Sequence, residues 1–312
     1  MKTLDFIIIG AQKCATTTLF ELLRQHPGIS MPLEKEVPFF THENCGADDW
    51  PAFATQYYDG ADGKLWGKAS PQYMADEPVP ARIAALMPNT KLIAVLRDPI
   101  DRSRSHFRMA VRRNTETRSF DEAMNDRLTP EALIAGRGGL APSHSEGYES
   151  ESDFYLVWSE YGRILANYRE HFAKDQLLVL FTTELEDEPD MVFERVLRFL
   201  QLPGDFQPKG LGEVMHAGGG GSKIPHGLRV WLRERSIVGG LWNLVPPQQQ
   251  GRIRFLYERW NSQKQKDPLP LEPATEAALR AHFAKDIELL ESLGVTPPHW
   301  AKDYPNDVKE RN

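Results

Sequence analysis

Cysteine is nearly missing from this chain: there are two, Cys14 and Cys45, in 312 residues. Two thiols are too few to staple a chain of this length. Cys14 also falls in a small-residue loop where a structural disulfide would be awkward, so a reducing compartment is the simpler reading. Long apolar runs are missing too. The opening run, Phe6 to Ile9, is too short for the core of a secretion signal, and no segment approaches the roughly 18 apolar residues of a membrane span. A cytoplasmic location is therefore expected. Positive charge is not in excess: 37 Lys and Arg against 44 Asp and Glu leave a formal net charge of −7. That balance disfavours a general nucleic-acid binder but permits a small anion held by a local patch. The nine histidines are scattered, no His/Cys/Asp group has metal-ligand spacing, and no metal is expected. No internal repeat is found. At 41% hydrophobic residues, the chain can bury one large core, or one core with a smaller helical appendage.

Hydrophobic patterning supplies the elements. Phe6-Ile7-Ile8-Ile9 and Lys91-Leu92-Ile93-Ala94-Val95-Leu96 are unalternating and rich in β-branched residues, as buried parallel strands are. Gln176 to Phe181 is a third such run, and Leu65-Trp66-Gly67 a short fourth. Helices are expected over Thr16–Gln25, from Asp98-Pro99 to about Arg113, as one long amphipathic helix over roughly 152–172, and over Pro189–Leu200 and Pro273–Leu293. The alternation predicts an α/β fold, a single domain with a mostly parallel central sheet flanked by helices. Residues 136–152 and His216 to Ser222, with four consecutive glycines, read as loops, either plain linkers or lids over a ligand. The last ten or so residues read as a tail.

Two segments carry chemistry. Gly10-Ala-Gln-Lys-Cys-Ala-Thr-Thr-Thr18 joins the first strand to the first helix. Backbone N–H groups at a helix start suit an anion, small residues let it approach, and threonine hydroxyls add donors. A nucleotide-hydrolase phosphate loop would carry Gly-x-x-x-x-Gly-Lys-Ser/Thr. Here the lysine lies inside the loop, at Lys13, and the usual lysine position is a threonine. A kinase-like layout with triphosphate and magnesium is therefore disfavoured. The second segment is Leu96-Arg97-Asp98-Pro99-Ile-Asp-Arg102-Ser-Arg104-Ser105-His106. Arg97 ends a buried strand, where open α/β sheets place ligands, and Ser105 lies two turns down the next helix. A guanidinium and a hydroxyl suit one phosphate group. Arg104, Arg108 and Arg112 share one helix face, read as a solvated basic stripe.

Together these segments resemble the PAPS-dependent sulfotransferases, which transfer a sulfuryl group from 3′-phosphoadenosine 5′-phosphosulfate (PAPS). The first looks like their 5′-phosphosulfate loop and the second like their 3′-phosphate motif, Leu-Arg-Asp-Pro-x-x-Arg-x-x-Ser. Lys35-Glu36-Val37-Pro38-Phe39-Phe40 and Gly67-Lys-Ala-Ser70-Pro71-Gln-Tyr73 add a likeness to the bacterial and heparan-sulfate-type members. The four segments also come in the family's order.

The resemblance implies a P-loop-like sulfotransferase fold over residues 1–300, with a PAPS-binding core over about 4–205. A helical acceptor-side or lid region would follow over about 206–300, and a tail over 301–312. It assigns Lys13, Cys14, Ala15, Thr16, Thr17 and Thr18 to the 5′ phosphosulfate, Arg97 and Ser105 to the 3′ phosphate, and Lys223 to the same nucleotide. Glu36 falls where the heparan-type enzymes place their base, and the Phe39-Phe40 pair is expected to set it in apolar surroundings that raise its pKa. Lys13 would follow the charge on the leaving oxygen. Lys68, which stands where family members commonly carry glutamate, would neutralise charge on the sulfuryl group; a surface strand residue is the competing account. His106 is read as packing. The implied acceptor is a hydroxyl, less readily an amine, of a glycan or glycoconjugate. A small-molecule or lipid product is the alternative, and a non-catalytic nucleotide-binding protein the alternative of another class. Trp158, Tyr161, Trp231 and Trp242 are read as core rather than as sugar-stacking groups.

Overall fold

In the computed structural model, which describes residues 2–42, 44–113, 115–138, 151–212 and 269–305, five strands form one parallel sheet in the order β2-β3-β1-β4-β5. They are β1 (Phe6–Gly10), β2 (Ile29–Ser30), β3 (Leu65–Ala69), β4 (Lys91–Leu96) and β5 (Leu177–Phe181). Every residue of β1 and all but Lys91 of β4 are buried, as the unalternating runs require of central strands covered by helices. The two-residue β2 is too short to leave a pattern in the sequence.

Helices α1 (Thr16–Leu23), α2 (Trp50–Tyr58) and α3 (Val79–Leu86) connect the first four strands, and α4 (Pro99–Arg113) follows β4. Then come α5 (Phe120–Arg127), α6 (Pro130–Arg137), α7 (Tyr161–His171), α8 (Thr182–Asp187), α9 (Pro189–Phe199) and α10 (Pro273–Ser292). α5 opens with a full capping box between Ser119 and Glu122.

The long helix expected over 152–172 is not formed as one piece. Two 3₁₀ turns, Glu151–Phe154 and Val157–Ser159, precede α7. Phe154, Tyr155, Leu156, Val157 and Trp158 are buried on every side rather than along one stripe, and their carbonyls serve tertiary partners: Tyr155 O accepts from Arg102 and from Ser103 Oγ, and Val157 O accepts from Arg163. The loop expected from 136 also starts late, because α6 runs through Gly136 to Arg137. At the other end, the tail boundary expected at 301 falls inside a packed segment. His299–Asp303 forms a 3₁₀ turn, Trp300 and Tyr304 are buried, and the Tyr304 hydroxyl donates to Asp98 Oδ2 at 2.9 Å.

The strand order positions the site. After β1 the chain builds β2 and β3 on one side, then crosses to β4 and β5 on the other. The carboxyl ends of β1 and β4 therefore flank a switch point, where the loops diverge and leave a crevice. Gly10 to Ala15 leaves β1 there, and Arg97 leaves β4 there.

Candidate active site

The loop after β1 is held by its backbone. Ala11 N–H donates to Val95 O at 2.8 Å, which pins the loop to the end of β4. Gly10 admits no side chain, since a Cβ there would lie 2.5 Å from Met74 Cβ. Lys13 (φ 73°) and Ala15 (φ 56°) both take the left-handed conformation. That costs a non-glycine residue about 1–2 kcal/mol and, alternating with right-handed residues, makes a concave array of N–H groups. Ala15 precedes α1 without a side-chain cap, so the first-turn N–H groups face that concavity unsatisfied by a cap. Thr16 and Thr18 are buried and Thr17 half-buried. Cys14 is fully buried, with Sγ 3.8 Å from the Tyr161 hydroxyl. Burial pushes its thiol up, against the pull of Arg102 and Arg97, so it stays protonated.

Positive charge converges on this loop. Lys13 Nζ lies 3.8 Å from Met109 Sδ on α4. Burial, then the Arg112, Arg113 and Arg102 guanidinium groups, lower the Lys13 pKa to about 7, with Glu36 pulling the other way. The stripe Arg104, Arg108, Arg112 is thus not a wholly solvated face. Arg104 pairs with Asp101 at 3.2 Å, but the far end of the stripe bears on Lys13. Arg97 directly succeeds β4, is a little over a third exposed, and lies 3.7 Å from Asp101. Ser105 is buried on α4, which Asp98 caps by accepting from Asp101 N–H at 2.9 Å.

Arg102, a position inside the 3′-phosphate motif to which the resemblance assigns no role, is fully buried. Its guanidinium donates to Gln12 O at 3.1 Å and to Tyr155 O at 3.0 Å, meets His106 Nδ1 at 2.9 Å, and lies over the Trp158 ring. It ties the loop after β1 to α4 and to the segment before α7. His106 is buried between Tyr155 and Trp158, and burial with the nearby cations holds it neutral. Packing, as expected, is its place. Trp158 and Tyr161 are likewise core.

The Glu36 carboxylate acts on Lys13 through space, pulling its pKa up against the cations, and about a third of its side chain (35%) remains exposed. Its own φ is 69°, and its N–H donates to Ala69 O at 3.0 Å, so the turn is docked on β3. The Phe pair anchors the chain just beyond this turn. Phe39 and Phe40 N–H donate to the Tyr73 hydroxyl at 3.1 and 3.2 Å, and the Phe39 ring packs on Trp50 and Phe53.

The expected rise in the Glu36 pKa is not found. Burial pushes it up, but Lys35 Nζ on Oε1 at 2.6 Å, Gln72 Nε2 on Oε2 at 3.0 Å and the more distant Arg113 outweigh that, and the net direction is down. The aromatic rings turn into the core rather than around the carboxylate. Gln72, at a variable position of its motif, gave no signal in the sequence.

Lys68 is fully buried on β3 and is no surface residue. Its ammonium bonds the Val37 carbonyl and Ser70 Oγ, the latter at 2.6 Å, and lies over the Tyr73 ring. Burial lowers it to about 7, opposed by Glu36. It lies beneath the Glu36 turn. Lys223, Trp231, Trp242 and His216 to Ser222 lie outside the described residues. A separate cleft beside β5, lined by Arg169, Lys174 and Arg195 among others, shares no residue with this site.

The arrangement brings the N–H groups and hydroxyls of the loop after β1 together with Lys13, the cations of α4 and the ionised carboxylate of Glu36. Among the described residues no group of three His, Cys, Asp or Glu side chains is placed to hold a metal. A family profile described as "Sulfotransferase domain" matches residues 3–211. The bifunctional heparan sulfate N-deacetylase/N-sulfotransferase 1 of Xenopus tropicalis is 28% identical over 200 residues, 62% of this chain and 22% of that protein. Heparan sulfate glucosamine 3-O-sulfotransferase 3A1 of Mus musculus is 28% identical over 196 residues, 63% of this chain and 45% of that one. The chain thus spans less than half the length of these relatives. A solved sulfotransferase from Alicyclobacillus acidocaldarius shares the fold with a TM-score of 0.64 at 21% identity, over 96% of this chain and 99% of that one.

Proposed function

The chain belongs to the sulfotransferase family, and from that premise we propose that it transfers a sulfuryl group from PAPS to an acceptor hydroxyl, less readily an amine, on a glycan or glycoconjugate, with Glu36 as the general base. The observation that carries the PAPS reading is the crowding of cations at the start of α1. Lys13 is depressed to about 7 by burial and by Arg112, Arg113 and Arg102, a repulsion that a polyanion would relieve. The left-handed Lys13 and Ala15 supply the N–H concavity that such an anion fits. PAPS supplies the activated sulfuryl group and a phosphate leaving group. Lys13, with the N–H groups from Cys14 to Thr18, holds the 5′ end, and Arg97 and Ser105 hold the 3′ phosphate.

Glu36 takes the acceptor's proton. It is ionised and oriented by Lys35 and Gln72 before the acceptor arrives, which favours readiness over base strength. Lys68 supports the turn that carries it. The acceptor class rests on the relatives, which are named for heparan sulfate and for both N- and O-sulfation. Two buried free thiols support a reducing, cytoplasmic setting. The test is incubation with sulfur-labelled PAPS and a panel of glycan, phenolic and lipid acceptors. Label transfer to a glycan is expected. Binding of 3′-phosphoadenosine 5′-phosphate (PAP) without transfer to any acceptor would instead support a non-catalytic nucleotide-binding protein.

A further inference from the structure

We propose that Tyr304, which lies beyond the residues matched by the family profile, is a positioning residue for the 3′-phosphate end of the nucleotide site, holding the Asp98 cap of α4 and through it the turn that carries Asp101 to Arg97. The inference rests on the PAPS reading. Asp98 stands between Arg97, assigned to the 3′ phosphate, and Pro99, the first residue of α4. Both of its carboxylate oxygens are engaged. Oδ1 accepts the Asp101 N–H at 2.9 Å, which closes the first turn of α4, and Oδ2 accepts the Tyr304 hydroxyl at 2.9 Å. From that turn Asp101 Oδ2 lies 3.7 Å from the Arg97 guanidinium, and Oδ1 lies 3.2 Å from that of Arg104. The Arg97–Asp101 pair is partly exposed, and such a pair does little to fix its own geometry. Its placement depends on the first turn of α4, and that turn depends on Asp98.

Tyr304 is itself buried and held from two sides. Arg280 of α10 lies over its ring, 5.3 Å from the centroid, and donates to Asp303 O at 3.1 Å. Trp300 packs edge-on against both the Tyr304 ring and Phe181 of β5, with centroids 6.2 and 6.1 Å apart. The phenol therefore reaches Asp98 from a fixed frame. Burial pushes the Asp98 carboxyl up, and the Asp101 N–H, the Tyr304 hydroxyl and Arg280 pull it back, so the phenol favours the ionised cap. The bond joins residues 206 apart in sequence, which no local pattern reports. All of these contacts lie at the 3′ end of the crevice, and none is made to the loop after β1. A ligand without a 3′ phosphate gains nothing from them.

The test is calorimetric binding of PAP and adenosine 5′-phosphate to the full chain and to Tyr304→Phe, which keeps the ring and removes the hydroxyl. The variant is expected to weaken PAP by about tenfold, within the worth of one hydrogen bond to a charged group, while adenosine 5′-phosphate changes less than about twofold. Asp98→Ala should show the same selective loss, and the double variant Asp98→Ala/Tyr304→Phe should lose little more than Asp98→Ala alone. A tyrosine that only packs would lower the melting temperature and leave the ratio of the two affinities as it was. That result overturns the proposal, as does equal weakening of both probes or unchanged PAP binding. If Tyr304→Phe does not fold, Arg280→Met, which frees the tyrosine ring on its other side, should give a smaller loss of the same selectivity, and an unchanged ratio would overturn the proposal. If the unaltered protein binds PAP no more tightly than adenosine 5′-phosphate, the PAPS reading fails and takes this proposal with it.

Discussion

At the scale of single residues, two ionisable groups decide how the site responds to pH and to substitution. Glu36 is held below its ordinary value by Lys35 and Gln72 against the upward push of burial, so it stays a carboxylate throughout the neutral range. Glu36→Gln keeps the shape and removes the basicity. It is expected to lower kcat by roughly 10²–10⁴-fold in a steady-state assay while PAP affinity, measured by calorimetry, hardly moves. Lys13 has the opposite signature. Its free pKa of about 7 means that it loses its proton as pH rises through neutrality, and the anion prefers the protonated form. PAP affinity is expected to be full below that value. It should then fall with rising pH by up to about tenfold per unit, until the higher pKa of the bound state is reached. Calorimetric titrations from about pH 6 to pH 9 check the sign, and Lys13→Arg, with a side chain that stays charged, should flatten the curve.

At the scale of elements, close helix packing holds the crevice. α7 lies against α10 with a glycine at the contact, and a Cβ on Gly162 would stand 2.1 Å from Asp286 O, a backbone atom with little freedom to yield. Gly162→Ala is expected to force the two helices apart and to destabilise the fold by about 1–3 kcal/mol, the usual range for overpacking, as measured by urea denaturation. Arg102 performs a comparable task inside the core, joining the loop after β1, α4 and the segment before α7 through one buried guanidinium.

At the scale of the whole molecule, a net charge of −7 coexists with a cationic crevice, so the site's field is local and runs against the protein's average. In the proposed function, Lys13, Arg97 and their neighbours take the place of the charge that a metal supplies in triphosphate enzymes, and sulfuryl transfer is expected to survive a chelator. An assay in EDTA should retain activity. Complete loss, restored by magnesium, would return the chain to the kinase-like reading. Among the described residues no helix is long and apolar enough to cross a membrane.

The sequence alone determined what is local. Two unalternating apolar runs became the central strands, the displaced lysine set the loop after β1 apart from a triphosphate layout, and four motifs in order pointed to the family. Periodicity also set the bounds of α4, α9 and α10 to within two residues. Only the tertiary structure decided what depends on distant segments meeting. The run from Phe154 to Trp158 is broken into 3₁₀ turns, with the Tyr155 and Val157 carbonyls taken by side chains of α4 and α7, partners that a local pattern cannot report. Lys68 lies under the Glu36 turn because β3 delivers its side chain to the Val37 carbonyl and Ser70. The Glu36 carboxylate is lowered rather than raised because Lys35 and Gln72 reach it while the phenylalanines turn inward. Charge and burial are properties of neighbours in space, and the chain does not choose those neighbours until the sheet has brought β1, β3 and β4 side by side.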